Sequence, residues 1–297
     1  MKNEVLKLAV TALALSDDVR QTPRIARSLG FVGLQFDAFG RALDIPALPL
    51  SGRRDFRKML SAQDQQLAGL RMDCGPKGLG IGADVDLVIS RADKAMEAAA
   101  GLGSPLLCLE VGLLPEPQRV AAPRAPISQT AAGLILLPEP APAPVQPPTP
   151  PPDPALVSQV DDALREIGRR ADRYNVMVAL RSDLSSFAAV DRAIRAADCP
   201  WIGLDFDPSL ALRDDWALDE IFSRVGSWIR HVRARDAIAG SERRTRPTVV
   251  GQGSVDWGAV IGNLDSGDYH GWITVDPTDL VNRSAAAADA RKFLESL

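Results

Sequence analysis

The feature that most constrains this chain is an alternation of short apolar β-type runs with amphipathic helical runs, repeated eight times. Parallel strands that alternate with helices form one sheet covered by helices, and eight such units close into a barrel. The predicted strands are residues 6–15, 33–37, 70–74, 105–111, 176–180, 202–206, 229–234 and 272–275. We therefore predict the α/β class and a (β/α)8 TIM barrel, with an open doubly wound sheet as the alternative.

Helices are predicted where apolar residues recur three, four and seven positions apart. The first has Pro23 in its first turn and ends at Gly30, and the second runs from a Ser51 cap through Leu67. The others are residues 84–102, a run that begins near Leu156, and residues 187–197, 216–225, 257–264 and 285–297. With 46% apolar residues, the 297-residue chain has enough material for one large core, so a single domain over 1–297 is expected.

Residues 115–154 interrupt the pattern, since they hold more than half of the 23 prolines. Such a segment favours extended polyproline conformation and does not bury a core. We predict a solvent-exposed loop insertion after strand four, mostly without regular structure. The alternative is that 138–154 is a proline-rich ligand for a protein partner.

Composition narrows the class of protein. The net charge of −4 and the pI near 5.4 provide no basic stripe, which argues against nucleic-acid binding. No run is long enough to cross a membrane, and Lys2, Lys7 and the short apolar run after them are read as the first strand rather than as a signal peptide. The three cysteines, Cys74, Cys108 and Cys199, lack paired spacing, so reduced thiols and a cytoplasmic protein are expected.

Ionisable residues collect at the predicted C-terminal ends of the strands, which is where barrel enzymes place their chemistry. The acids are Asp37, Asp73, Glu110, Asp183, Asp205, Asp207, Asp236 and Asp276, and Arg181, Arg233 and Arg235 accompany them. Strand alternation puts Arg233 and Arg235 on one side, as it does Asp205 and Asp207. His231, mid-strand, is either a hydrogen-bonded residue of the barrel wall or a site residue, whereas His270 is expected in a surface turn.

The glycine-rich stretch Gly75–Gly82 follows a strand and precedes a helix, where a phosphate-binding loop would lie. Its glycine spacing does not match the dinucleotide fingerprint, and Pro76 breaks the tight first turn. We interpret it as a flexible loop.

Six segments together resemble the xylose isomerase-like TIM barrels, the group of sugar phosphate isomerases and epimerases. They are residues 29–37, the Ala-Gly-Leu-Gly run 100–103, residues 203–208, 231–236, the Gly-Gln-Gly-Ser-Val-Asp-Trp run 251–257, and residues 269–276. The run 251–257 is the most telling single piece. The resemblance covers nearly everything outside 115–154.

This resemblance implies a particular metal site. Enzymes of the group typically hold one divalent metal with Glu at the end of strand five, Asp at strand six, His at strand seven and Glu at strand eight, and the two glutamates also move protons. In this chain those positions are occupied by Arg181, Asp207, Arg233 and Asp276, and a further histidine expected after the aspartate is replaced by Leu210.

Arginine stays protonated and has no lone pair for a metal. We therefore predict that Arg181 and Arg233 take the place of the metal charge and pair with Asp207 and Asp276. The substitutions favour a site without a cofactor; if manganese, magnesium, zinc or cobalt does bind, Asp207 and Asp276 are the expected ligands. A register shift of two residues would instead bring Asp183 into the position of Arg181.

Two functions are expected from the resemblance. The first is an isomerase or epimerase of a sugar or sugar derivative, with Asp207 and Asp276 as catalytic residues. In it Arg181, Arg233, Arg235, Asp37 and His231 would contact a small sugar-like or anionic substrate. The alternative is a non-catalytic barrel that binds an anionic ligand or a protein partner. Endonuclease action on abasic DNA, known for related barrels, is disfavoured because two histidines cannot supply its metal ligands.

Overall fold

Eight parallel strands close into a barrel in the computed structural model, which describes residues 6–115, 152–183, 185–240 and 244–297. The barrel strands are Leu8–Thr11 (β1), Gly33–Asp37 (β2), Gln66–Asp73 (β3), Leu106–Glu110 (β4), Met177–Arg181 (β5), Ile202–Phe206 (β6), Ile229–Ala234 (β7) and Ile273–Val275 (β10). β1 pairs with both β2 and β10, which completes the ring. The predicted (β/α)8 barrel is confirmed, and the open doubly wound sheet is excluded.

The helices lie outside the strands. They are Thr22–Ser28 (α1), Leu50–Ser61 (α2), Val85–Leu102 (α3), Pro154–Tyr174 (α4), Phe187–Ala197 (α5), Pro208–Asp214 (α6), Leu218–Val225 (α7), Trp257–Ser266 (α8) and Arg283–Glu295 (α9). α4 shows why the sequence folds in this way: Val160, Leu164, Ile167 and Ala171 recur on one face and are fully buried.

Two apolar layers result from the strand alternation. Leu34 and Phe36 of β2 belong to the large core between strands and helices. Leu106, Cys108 and Ala179 form a separate, smaller cluster, and Cys108 Sγ accepts a hydrogen bond of 3.2 Å from Gln35 Nε2 of the non-adjacent strand β2. These residues therefore face the barrel interior, and the next inward position toward the C-terminal end of β4 is Glu110.

The boundary between α2 and β3 differs from the sequence prediction. α2 begins after Pro49 and ends at Ser61, so Ser51 is not its cap and Leu67 lies in β3. The chain turns at Asp64, which has a left-handed φ of 52°. An apolar residue beyond a turn continued the helical spacing by coincidence, and this made the predicted helix too long.

Three further elements differ. β1 covers only Leu8–Thr11 and is followed by a 3-10 turn, Ala12–Ala14. α6 was not predicted, although its first residue, Pro208, is of a type that suits the first turn of a helix. The antiparallel hairpin of Asp236–Ala239 (β8) and Thr245–Thr248 (β9) after β7 was not predicted.

Most of the predicted proline-rich insertion, together with its protein-partner role, falls on residues 116–151, outside the described residues. Its last residue, Pro154, already begins α4, with Asp153 as the cap. In the described part of the chain, no helix is both long and apolar enough to span a membrane.

Candidate functional site

Arg233 lies at the centre of the C-terminal mouth of the barrel. Its Nη1 is 3.0 Å from Glu110 Oε1 and 3.2 Å from Asp276 Oδ2. Its Nη2 is 2.9 Å from Asp205 Oδ2. The side chain is 1% exposed, so the ends of β4, β6, β7 and β10 converge on one buried guanidinium.

Arg181, the last residue of β5, makes the second set of ion pairs. Its Nη1 lies 3.3 Å from Glu110 Oε2, and its Nε lies 3.4 Å from Asp207 Oδ2. Arg235 approaches the same Asp207 oxygen at 3.4 Å and also pairs with the more exposed Asp279. The expected contacts of Arg181 with Asp207 and of Arg233 with Asp276 are therefore present, while the roles of these residues in binding or catalysis stay predictions.

Arg71 of β3 is a member of this cluster that the sequence reasoning did not single out. Its Nε lies 2.7 Å from Asp37 Oδ1, and its Nη1 lies 3.3 Å from Asp276 Oδ2. Asp37 is thus joined to the site through Arg71 rather than through the arginines named from the sequence. The available signal was alternation along β3, which places Arg71 on the same side as Asp73, two residues later.

Both candidate catalytic carboxylates are held on two sides. Asp207 Oδ1 caps α6 by accepting hydrogen bonds from Ser209 N at 3.0 Å and Ser209 Oγ at 2.7 Å, while Oδ2 faces the arginines. Asp276 Oδ1 accepts a hydrogen bond from Thr278 Oγ1 at 2.7 Å, while Oδ2 forms ion pairs with Arg71 and Arg233. Each carboxylate therefore uses one oxygen to fix the turn after its strand and the other to bind guanidinium groups.

The arginine contacts keep Asp276 and Asp205 ionised. Burial raises the pKa of Asp276, but Arg233 and Arg71 lower it by more, so that the pKa is about 2. Burial likewise raises the pKa of Asp205, which Arg233 and His231 bring below its usual range. For Arg233, burial lowers the pKa, but Asp205, Glu110 and Asp276 hold it well above its ordinary value. A carboxylate with so low a pKa is a weak proton acceptor at neutral pH.

His231 lies one layer below the mouth and is fully buried. Its Nδ1 is 2.6 Å from Asp205 Oδ1, and its Nε2 is 2.7 Å from Thr274 Oγ1. These bonds give it the character of a hydrogen-bonded wall residue that supports Asp205 from beneath. Whether it also contacts a ligand stays a prediction.

Cys108, Asp205 and His231 bring a sulfur, an oxygen and a nitrogen within 4.8 Å of one another, a grouping that sequence spacing did not suggest. Burial raises the pKa of the Cys108 thiol well above its ordinary value, which favours the protonated form. Because Asp205 already binds Arg233, a cation in this cluster would also lie close to a guanidinium. The three residues form a closed hydrogen-bonded network with Gln35 and Thr274.

Two other acids named from the sequence, Asp183 and Asp236, bind partners outside the cluster around Arg233. Asp183 pairs with Arg213 at 2.7 Å, so the register shift that would bring it into the position of Arg181 is wrong. Asp236 accepts hydrogen bonds from the backbone N–H groups of Gly251, Gly253 and Val255 and from the Trp257 indole, at 2.9–3.2 Å. The run 251–257 is therefore folded around Asp236.

The glycine-rich loop serves packing. Gly78 has a φ of 53°, and a Cβ there would lie 1.9 Å from the Val111 carbonyl oxygen. Only glycine allows this approach to the segment after β4. His270, the second histidine, is half-exposed and pairs with Asp268 in a surface turn.

The chain matches one protein family over most of its length. A family model described as xylose isomerase-like TIM barrel matches residues 23–297. The chain belongs to this family. No curated protein matches it in sequence.

Solved structures of the family share the barrel at low sequence identity. The xylose isomerase domain protein from Planctomyces limnophilus superimposes with a TM-score of 0.74 at 16% identity, over 98% of this chain and 97% of that one. The D-psicose 3-epimerase from Clostridium cellulolyticum H10, solved with D-tagatose, gives 0.68 at 11% identity over 98% and 99%. The IOLI protein with a binding zinc atom gives 0.69 at 13% identity over 97% and 96%. At these identities the likeness shows the fold alone.

The metal site typical of xylose isomerase-like barrels does not fit the residues present here. The four positions are taken by two carboxylates and two guanidinium groups. Arg233 donates an N–H group to Asp276, and Arg181 is ion-paired with Asp207. Guanidinium has no lone pair, and its charge repels a dication. The residues at these positions therefore do not suit a divalent metal.

Proposed function

We propose that this xylose isomerase-like barrel binds a small sugar-derived ligand at the C-terminal ends of its strands and does so without a divalent metal. The observation that carries the proposal is the position of Arg233. It stands where the family resemblance places a metal-binding histidine, and it is ion-paired to Glu110, Asp205 and Asp276.

The ligand class is supported by the family and by the named neighbours. The psicose epimerase structure holds D-tagatose, a ketose. In this chain the partly exposed outer groups at the mouth are Asp37, Glu110 and Arg235, which offer both acceptors and donors to a polyhydroxylated ligand. Arginine forks suit carboxylate or phosphate groups, so sugar acids and sugar phosphates belong to the same class.

Binding is favoured over metal-dependent isomerisation. Moving a proton on a ketose carbon needs two available bases and a Lewis acid for the enediolate. Here Asp207 and Asp276 are each fixed by a local hydrogen bond and by arginines, and the pKa of Asp276 is about 2. The chain's own residues are arranged to hold charge at fixed positions rather than to exchange protons.

The test has a metal arm and a ligand arm. Chelator-stripped protein is titrated calorimetrically with Mn²⁺, Mg²⁺, Zn²⁺ and Co²⁺, and we expect no site that depends on Asp207. The thermal midpoint is then measured in EDTA with D-psicose, D-tagatose, D-fructose 6-phosphate and D-glucuronate, and we expect at least one of them to raise it, because a ligand that binds only the folded state stabilises it.

Either arm can overturn the proposal. A metal site that disappears in Asp207→Asn, but persists in the matched variant Asp183→Asn, would reinstate the metal-dependent enzyme. If no compound of the panel raised the midpoint in EDTA, the assignment of a sugar-derived ligand would fail.

A further inference from the structure

Glu110 joins the two arginines that stand in place of the family's ligands. Its Oε2 lies 3.3 Å from Arg181 Nη1, and its Oε1 lies 3.0 Å from Arg233 Nη1. The glutamate side chain is 23% exposed, whereas the two arginine side chains are 8% and 1% exposed. One partly solvated carboxylate thus bridges two buried guanidinium groups.

The charges at the mouth fall into an inner and an outer set. The inner set consists of four arginines and three almost fully buried carboxylates, namely Arg71, Arg181, Arg233, Arg235, Asp205, Asp207 and Asp276. It therefore carries one more positive charge than negative. The outer acids of the described mouth are Asp37 on Arg71, Asp279 on Arg235, and Glu110, which alone of these contacts two arginines.

Two buried donors of the bridged arginines also remain unused. The Nε atoms of Arg181 and Arg233 make no hydrogen bond to the described residues, although Nε of Arg181 lies 3.4 Å from Asp207 Oδ2. A buried N–H group without an acceptor costs free energy. A group with more acceptor oxygens than one bridging carboxylate would match this set of donors better.

We propose that Glu110 is an internal stand-in for the ligand, and that the carboxylate or phosphate group of a sugar acid or sugar phosphate binds between Arg181 and Arg233 by displacing it. This inference rests on the proposed function and narrows its ligand class to anionic sugar derivatives. The exchange is non-covalent: the Glu110 carboxylate moves into solvent, and the ligand anion takes over its two guanidinium contacts. The ligand anion then supplies the negative charge that Glu110 had placed between the two arginines.

The stand-in also accounts for selectivity. A neutral sugar cannot replace the negative charge that Glu110 places between the two arginines. Arg181 would then retain only Asp207, and Arg233 only Asp205 and Asp276. An anionic ligand replaces one charge-assisted contact by another of the same kind. We therefore expect that anionic ligands, and not neutral sugars, displace Glu110 from the two arginines.

The experiment compares the wild type with Glu110→Gln and, as a matched control, Glu97→Gln. Glu97 pairs with Arg53 on the outer helices, 3.1 Å away, and its loss changes the net charge equally. Each protein is titrated with inorganic phosphate, D-glucuronate and the neutral D-glucitol. Removal of a competing charge-assisted pair is expected to tighten phosphate and glucuronate binding in Glu110→Gln by about tenfold or more, with Glu97→Gln equal to the wild type and no gain for glucitol.

Phosphate and glucuronate together identify the preferred anion, since a gain for only one of them still supports the exchange and names the group. Equal anion affinity in Glu110→Gln and the wild type would overturn the inference, as would an equal gain in Glu97→Gln or for glucitol. Glu110→Asp retains the charge but is too short to bridge both arginines. It is expected to show a smaller gain, and it decides the matter if Glu110→Gln does not fold.

The result is separable from the proposed function. If the wild type binds a neutral ketose in EDTA while Glu110→Gln gains no anion affinity, the stand-in is wrong and the sugar-binding barrel stands. If Glu110→Gln gains anion affinity while no sugar derivative of the panel binds the wild type, the anion exchange stands and the sugar assignment fails.

Discussion

Nη2 of Arg233 lies 2.9 Å from Oδ2 of Asp205, and both side chains are almost completely buried. A buried ion pair gains little net stability by itself, because desolvation offsets the attraction. Removing one partner is a different matter, since the other charge remains buried and uncompensated. In this mouth the arginine neutralises more than one acid, so the two sides of the pair are not equivalent.

Arg233→Met is therefore expected to lower the free energy of unfolding by about 3–5 kcal/mol. It leaves Asp205 and Glu110 without their main cation and Asp276 with Arg71 alone. Urea unfolding followed by circular dichroism measures the loss. The control is Arg165→Met, which breaks an exposed pair with Asp162 and should change stability by no more than about 1 kcal/mol; similar losses in both variants would contradict the central role of Arg233.

The lowered pKa of Asp276 predicts a defined acid sensitivity. The carboxyl titrates at its usual 3.8 in the unfolded chain and at about 2 in the folded protein. Its contribution, about 2 kcal/mol, is therefore fully present above the unfolded value and is lost as the pH falls toward and through the folded value. The free energy of unfolding, measured between about pH 5 and about pH 1 so that both limits of the titration are reached, should fall in the wild type and fall less in Asp276→Asn.

Asp268→Asn is the control for this titration, since Asp268 is an exposed turn residue. It should retain the pH slope of the wild type. An unchanged slope in Asp276→Asn would mean that the carboxylate is not stabilised by Arg233 and Arg71 in solution.

Much of this mouth could be predicted from the sequence, and the reason is periodicity. Alternation along a strand fixes which residues share a side, and parallel strands bring their C-terminal ends to one edge. Alternation placed Arg233 with Arg235 and Asp205 with Asp207, whereas Arg181, Asp207, Arg233 and Asp276 were placed together by the family resemblance. The structure brings these four together.

What the sequence did not reveal depends on contacts across the barrel. Arg71 lies in β3, whose start was predicted at residue 70 and is at Gln66. Nothing in the local sequence indicates that its side chain reaches Asp276, which is 205 residues later in the chain and follows β10. The grouping of Cys108, Asp205 and His231 arises only when the barrel closes, because Asp205 and His231 pair across β6 and β7 whereas Cys108 comes from the non-adjacent β4. Pro247 lies in β9 of the β8–β9 hairpin, which was not predicted. A proline within a sequence run argues against a strand, but an edge strand such as β9 tolerates it.

Asp236 offers a test of the segment that most resembled the family. Asp236→Ala removes the acceptor for three partly buried backbone N–H groups of the run 251–257 and for the buried Trp257 indole, and these donors then lack this partner. We expect a loss of about 3 kcal/mol or more in the free energy of unfolding, measured by urea denaturation.

Asp256→Ala, in the same run, is the matched control for that variant. Asp256 caps α8 by accepting one hydrogen bond, from Ala259 N at 2.9 Å, so its loss should cost about 1 kcal/mol. If the two variants were equally stable, Asp236 would not organise the run.

Gly75 and Gly78, in the loop after β3, allow the cost of a positive φ to be measured separately from the cost of a steric clash. Gly75 and Gly78 both have positive φ, but a Cβ at Gly75 meets nothing within 4 Å, whereas one at Gly78 collides with Val111. Gly75→Ala should therefore cost about 1–2 kcal/mol, from conformation alone. Gly78→Ala should cost about 1–3 kcal/mol more, because the segment after β4 must also move. Thermal unfolding of both variants measures the difference, and equal costs would exclude the collision.

The double variant Arg181→Glu/Arg233→His tests directly whether arginines replace a metal. It supplies the glutamate and the histidine that the family resemblance places at these positions, and it leaves Asp207 and Asp276 as further ligands. Without the two guanidinium groups the remaining carboxylates repel one another, so a dication that compensates them should bind. We expect about one Co²⁺ per chain, seen in the visible spectrum, together with a higher thermal midpoint in Co²⁺ than in EDTA.

The wild type should show neither effect, and adding Asp207→Asn to the double variant should abolish both. Equal Co²⁺ binding by the wild type would show that its arginines do not take the metal's place; a double variant that folds but ignores Co²⁺ would show that the mouth has diverged in more than these two side chains.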